Sequence, residues 1–337
     1  MARYVFGNAV KHIADRTAWF RHLVWAVETA LAWLVWQFLR LIGIRAGGAC
    51  GRGIATFLGL RSAKNEKFRM NVDLAFADRD AAERDRIVRG VWANGGDVFA
   101  EYPRLKRICD PAAGRLETRV IGTAAELVAA GTPCVFVSAH LANWEICAAG
   151  VTRLGLPLTV VYTPAVNVYM DRLLAHWRKP LGCRLVPREE SIRPMIRELQ
   201  AGRSIGLIVD QRVDSGEMLP FFGMPKATTV VPARLALKHG IPLVPIRCER
   251  LGDARFRVSL YPPVSPLSDG VSVAEQATDM MVQVNALFEQ WIRECPTQWF
   301  CSKRRWPRDA QPRRHSRDGK NQLASGARFQ AKLSGQQ

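Results

Sequence analysis

Beyond residue 117 the apolar positions fall into short runs separated by stretches of helical period. "PCVFVS" (133–138), "PLTVVYT" (157–163), "SIGLIVD" (204–210) and "IPLVPIRC" (241–248) are continuous apolar runs of strand length, rich in β-branched residues. Between them "YMDRLLAHWRK", "EESIRPMIRELQAG" and "VVPARLALKHG" read as helices, the last two closing on the glycine expected just past a helix end. Strands apolar throughout and separated by helices predict an α/β fold, with a mostly parallel central sheet covered on both faces. "RFRVSLY" (255–261) alternates with period two and reads as a more exposed strand. Val273, Ala277, Met280, Val284, Leu287 and Trp291 recur every three or four residues and predict one amphipathic helix.

Upstream of the sheet the texture differs. Residues 61–116 read as charged helices, with "RIVRGVWANGGDVFAEY" placing apolar residues at helical spacing. Ala18 to Ile44 is strongly apolar and carries Trp19, Trp25, Trp33 and Trp36, without the small-residue cut site of a cleavable signal. Charges at Arg21, Glu28 and Arg40 leave only eleven uncharged residues between Glu28 and Arg40, short of the roughly 20 that a clean bilayer span requires. Tryptophans beside arginines suit the headgroup level, so the segment is expected to lie in the membrane plane, with a buried core helix as the alternative. After Trp306 the sequence dissolves into Pro, Gly, Ser, Gln and Arg. The expected organisation is therefore an N-terminal membrane-anchoring helical segment (1–60), an α/β domain (61–308) and a disordered basic tail (309–337).

Composition narrows the partners. The chain has 337 residues, 48% of them apolar, enough for a substantial core. Its 48 Lys/Arg exceed its 30 Asp/Glu by 18, and the segment from Ser302 onward holds ten Lys/Arg against Asp309 and Asp318. The body stays basic without the tail, which favours anionic partners. Nucleic acid is not expected among them: no binding module is visible, and the aromatics lie in apolar runs rather than among the basic clusters. The eight cysteines form no C-x-x-C pair and the six histidines no H-x-x-x-H, so neither a disulfide framework nor a metal site is expected.

Candidate chemistry lies in "VSAHLANWEICAAG" (137–150), where a strand hands over to a helix. Within one continuous helix His140 and Glu145 would point about 140° apart. With His140 in the turn and Glu145 in the first helical turn, the carboxylate can swing back onto the imidazole and leave its second nitrogen free as a base. A helix-capping histidine beside a glutamate favoured by the helix dipole remains the alternative. The position, at a strand's carboxyl end, is where open α/β sheets bind ligands. "GRSIG" (202–206) matches G-x-S-x-G but has its helix before and its strand after the serine, the reverse of a nucleophile elbow, so no acyl-enzyme at Ser204 is expected.

"HLANWE" fits the H-x-x-x-x-[DE] signature and resembles that of the glycerolipid and lysophospholipid acyltransferase superfamily, in particular the late acyltransferases of lipid A biosynthesis. The resemblance extends in order through "FRMNVDLAF" (68–76), "VYTPAVNVYMDRLL" (161–174), "GLIVDQR" (206–212), "PFFGMPKATTVVPARLA" (220–236) and "PTQWFCSKRRW" (296–306). It implies transfer of a fatty acyl group from acyl carrier protein to a hydroxyl of an anionic glycolipid, a lipid A precursor, on the cytoplasmic face of the inner membrane, without a cofactor. By this resemblance His140 is the general base and Glu145 its orienter, Asn143 and Trp144 shape the pocket, Asp210 and Gln211 form a second polar cluster, and Phe221, Phe222 and Gly223 line the acyl or acceptor groove. Arg172, Arg178, Arg184, Arg188 and Arg212 flank the predicted strand ends and are candidates for the acceptor's phosphates. The chain departs from the resemblance at Thr163, where an arginine is expected, and at Cys301 and Lys303, where an aromatic residue and a histidine are expected. These departures leave other acceptors open, namely a mannosylated, aminoacyl or lysophospholipid one, as well as an inactive membrane scaffold.

Overall fold

A computed structural model describes residues 16–188, 192–268, 270–307 and 310. Two helices, Ala18–Leu41 and Ile44–Leu60, are followed by Asn65–Ala75 and Ala81–Glu101. The first is long and apolar enough to cross a membrane. It buries Trp25, Trp36 and Leu39 yet leaves Trp19, Leu34, Phe38 and Leu41 more than half exposed. Helices Ile44–Leu60 and Ala81–Glu101 meet where two residues lack side chains: a Cβ on Gly51 would stand 2.6 Å from the Gly96 carbonyl oxygen.

The sheet has seven strands in the order β1-β9-β8-β2-β5-β3-β4. These are β1 (Leu116–Val120), β2 (Val135–Ser138), β3 (Leu158–Tyr162), β4 (Arg184–Pro187), β5 (Ser204–Ile208), β8 (Leu243–Gly252) and β9 (Arg255–Leu260). All neighbours are parallel except β8 and β9, joined by a tight antiparallel turn. Alternation along β2 builds two cores. Val135 and Val137 face one layer with Phe288, Trp291 and Trp299, and Phe136 faces the other with Ile146 and Phe256. The α/β architecture with a mostly parallel sheet is as expected, and so are the apolar N-terminal helix and the glycines Gly202 and Gly240, both left-handed (φ +73° and +62°). Helix Val273–Glu294 extends the predicted amphipathic stretch behind a Ser272/Glu275 capping box. The tail from 311 lies outside the described residues.

Three expectations change. Strand β9 is internal, between β1 and β8, with only Arg255 and Arg257 of its six residues escaping burial. The short strands β1 and β4 carried too little apolar signal to be anticipated: "LETRV" has only two apolar positions, and "RLVP" is four residues at the sheet edge. The stretch expected to line a groove is instead a hairpin, β6 (Glu217–Phe221) and β7 (Met224–Thr228), whose turn residues Phe222 and Gly223 both have positive φ (50° and 70°).

Candidate active site

Strand β2 ends at Ser138, paired with Ile208 of β5. Two residues beyond those parallel ends stand His140 and Asp210, which equal register therefore brings side by side. The chain after β2 is pinned by its neighbour: Leu141 bridges Trp299, Phe300 N–H donates to the His140 carbonyl (2.8 Å), and Ala142 N–H, at φ 50°, donates to the Gln298 carbonyl (2.9 Å). His140 is thereby fixed with Nδ1 2.5 Å from Asp210 Oδ1. The Trp144 ring meets it edge-on with centroids 4.9 Å apart, and itself stacks on Phe300.

Asp210 is fully buried and multiply satisfied. Its second oxygen accepts from Trp299 Nε1 (3.0 Å) and Arg305 Nη2 (2.7 Å), while Lys226 Nζ donates to its backbone carbonyl (3.0 Å). Burial opposes its ionisation, but the Arg305 guanidinium, His140 and Lys226 outweigh that and hold the carboxyl well below its usual range. Asp210 is thus an anion, and Nδ1 carries a proton donated to it. The other ring nitrogen, Nε2, is then the lone pair available as a base. Burial pushes Lys226 itself down to about 7. Arg305 is placed by Asn71, whose side chain accepts from Arg305 N–H (2.9 Å) and donates to the carbonyls of Cys301 and Lys303.

Glu145 does not orient His140. It accepts from Arg178 Nε (3.0 Å) and Nη2 (2.5 Å) and from the Tyr102 hydroxyl (2.7 Å). The cause is steric and electrostatic: Nδ1 is already occupied by Asp210, and helix Val168–Arg178 brings a guanidinium fork against the opposite side of the turn. Glu145 and Arg178 still line the same cavity as His140. Burial and the Glu145 charge raise the Tyr102 hydroxyl above its ordinary range, so it serves as a donor.

That cavity, about 1120 Å³, wraps around the carboxyl ends of β2, β5 and β3. On one sheet face its wall is Leu158, Val160, Gly206 and Leu181, and on the other Val161, Leu207 and Met195. Its rim is basic, with Arg188, Arg193, Arg197 and Lys303. Burial and the neighbouring Arg188 and Arg305 charges lower Lys303, the mark of a rim crowded with positive charge.

Of the residues expected to bind substrate, Trp144, Arg178, Arg188 and Gln211 line the cavity. Asp210 lies beneath it as the partner of His140. Five of the others stand elsewhere. Asn143 is buried, donating to Glu101 Oε2 (3.0 Å), because its turn faces back towards Ala81–Glu101. Arg172 points to solvent from an exposed helix position, and Arg212 pairs with Asp214 (2.6 Å). Phe222 is buried against Phe76, Trp299 and Trp306, and Gly223 supplies only the hairpin turn. Ser204 is buried in β5 and accepts from Cys134 N–H (3.1 Å), which removes it as a nucleophile. The residue sequence reasoning missed is Arg305. Its one signal was an arginine inside the quoted C-terminal motif.

Residues 14–308 match the family described as bacterial lipid A biosynthesis acyltransferase. The chain is 24% identical over 291 residues to a phosphatidylinositol mannoside acyltransferase of Mycolicibacterium smegmatis, covering 84% of this chain and 93% of that protein. It is 25% identical over 252 residues to a protein of the same name from Mycobacterium tuberculosis, covering 72% and 78% respectively. Among solved structures it is similar to a 1-acyl-sn-glycerophosphate acyltransferase from Thermotoga maritima, with 17% identity, a TM-score of 0.32, and coverage of 82% of this chain and 99% of that one.

Proposed function

Because this chain belongs to the bacterial lipid A biosynthesis acyltransferase family, and is thus an acyltransferase, we propose that it moves a fatty acyl group from an acyl carrier protein thioester to a hydroxyl of an anionic membrane glycolipid. The observation that carries this reading is the His140–Asp210 pair opening at Nε2 into a cavity with apolar walls and a basic rim. The acceptor hydroxyl gives its proton to His140 Nε2 as its oxygen attacks the thioester carbon. The imidazolium that forms is stabilised by Asp210, an anion because Arg305 and Trp299 already hold it. The carbon–sulfur bond then breaks, and the departing sulfur takes the proton back from Nε2. No acyl-enzyme is required.

The rim arginines and Lys303 suit a phosphate on the acceptor. The basic body suits an acidic carrier protein, whose approach it would steer. Helix Ala18–Leu41, packed on Val168–Arg178 along one side and apolar and exposed on the other, suits in-plane docking at the cytoplasmic face of the inner membrane. The family description favours a lipid A precursor as acceptor. The names of the mycobacterial relatives favour a mannosylated phospholipid, and the departure at Thr163 is compatible with that alternative.

Incubation of purified protein with acyl carrier protein thioesters and, in parallel, a lipid A precursor or a phosphatidylinositol mannoside tests the reading by product mass. One acceptor should gain a single acyl group. Absence of product from every hydroxyl-bearing lipid would overturn it.

A further inference from the structure

The base nitrogen of the dyad is not vacant. Gln211, the residue after Asp210, places its side-chain nitrogen 3.1 Å from His140 Nε2. Since Nδ1–H is committed to an ionised Asp210, Nε2 of the neutral ring can only accept, and the amide N–H₂ is the group able to donate to it. The position it fills is the one an acceptor hydroxyl must occupy to lose its proton. Gln211 lines the cavity and is half-buried. Asp210 beside it is fully buried and held from three sides, so of the two neighbours only the glutamine is placed to move.

We propose that Gln211 is a positioning residue that caps the base nitrogen of His140 in the empty site and yields it to the acceptor hydroxyl, which takes over the same lone pair. This rests on the proposed acyl transfer for its purpose but not for its geometry. The amide mimics the hydroxyl as a neutral donor, so it holds the imidazole in the productive tautomer and excludes water from Nε2 until substrate arrives. The charged groups around the ring are Asp210 on Nδ1, Arg305 and Lys226 behind Asp210, Glu145 paired with Arg178 across the cavity, and Arg188 and Lys303 at the rim. None of these supplies a bond to Nε2 among the described residues.

The reagent diethyl pyrocarbonate attacks an unprotonated imidazole nitrogen and needs no acyl transfer, so it tests the cap even if the proposed activity fails. Carbethoxylation of the peptide containing His140, followed by mass spectrometry, should be about fivefold faster in Gln211→Ala than in the unaltered protein, the equivalent of one net hydrogen bond. Gln211→Asn keeps the amide but is one methylene short, and should behave like the alanine variant. In turnover, Gln211→Glu should move the acidic limb of the kcat/KM profile upward by about one pH unit, because a carboxylate at Nε2 stabilises the imidazolium. A residue of merely structural importance would lower activity without moving that limb. Unchanged reactivity of His140 in both shortened variants, or an unmoved limb in Gln211→Glu, would overturn the proposal.

Discussion

Replacing Asp210 by asparagine, and separately Glu145 by glutamine, distinguishes two ways of building a base at His140. Of these two carboxylates Asp210 is the one that reaches the imidazole; its loss removes the anion that stabilises the protonated ring. A neutral amide there should cost turnover on the order of 10³ to 10⁴, about 4 to 5 kcal/mol of barrier. It also leaves the fully buried Arg305 guanidinium without its counter-charge, a destabilisation of about 3 to 5 kcal/mol. A thermal melt must therefore accompany the assay, and turnover should be measured well below Tm. Glu145→Gln weakens three charge-assisted hydrogen bonds to Arg178 and Tyr102, in a pair whose side chains are 12% and 13% exposed. That costs about 2 to 3 kcal/mol of stability and several degrees of Tm, while turnover stays within roughly tenfold. The assay is acyl transfer from a carrier-protein thioester, read by product mass over time. Were Glu145→Gln to lose three orders of magnitude with its Tm intact while Asp210→Asn turned over normally, the assignment of Asp210 as the orienting carboxylate would be wrong.

Three further outcomes follow from other parts of the molecule. Burial pushes the Glu289 carboxyl, which accepts from Phe222 N–H, up to about 7. The native state then holds an extra proton between about 4.5 and 7, and stability should fall as pH rises through that window by at most about 3 kcal/mol. Denaturant melts of Glu289→Gln should lose that contribution to the slope, whereas Lys226, with its transition at about 7 and above, contributes slope only at higher pH. A Cβ on Gly206 would stand 3.3 Å from Val160 Cγ2 and 3.5 Å from Leu158 Cδ1, on the apolar cavity wall; Gly206→Val should shift donor preference to shorter acyl chains, visible in competition between thioesters, and an unchanged preference would place the chain elsewhere. Leu34 and Phe38 are more than half exposed on helix Ala18–Leu41. Leu34→Glu with Phe38→Glu should weaken sedimentation with anionic vesicles by tenfold or more, since each buried side chain is worth about 1.5 to 3 kcal/mol.

The fold was legible in the chain because its information is local. Runs such as "SIGLIVD" and "IPLVPIRC" are strands in any arrangement that buries both faces, and Gly202 and Gly240 end their helices by backbone geometry alone. His140 could be singled out for a similar reason, since a histidine between a strand and a helix lies at the sheet's carboxyl edge whatever the strand order. Its partner could not. Sequence spacing favoured Glu145, five residues away, over Asp210, seventy residues away, because proximity along the chain is the only distance a sequence displays. Parallel pairing of β2 with β5 at the register Ser138 to Ile208 made Asp210 the nearer group. Helix Val168–Arg178 then supplied the guanidinium that draws Glu145 away. "PFFGMP" likewise has the composition of a pocket loop and becomes a hairpin only through its pairing, with Phe222 buried against Trp299 and Trp306. The amino-acid order thus determined most of the elements and the candidate histidine, while long-range register and packing decided which carboxylate meets it, because ionic contacts are set by distance in space and that distance exists only once the sheet has closed.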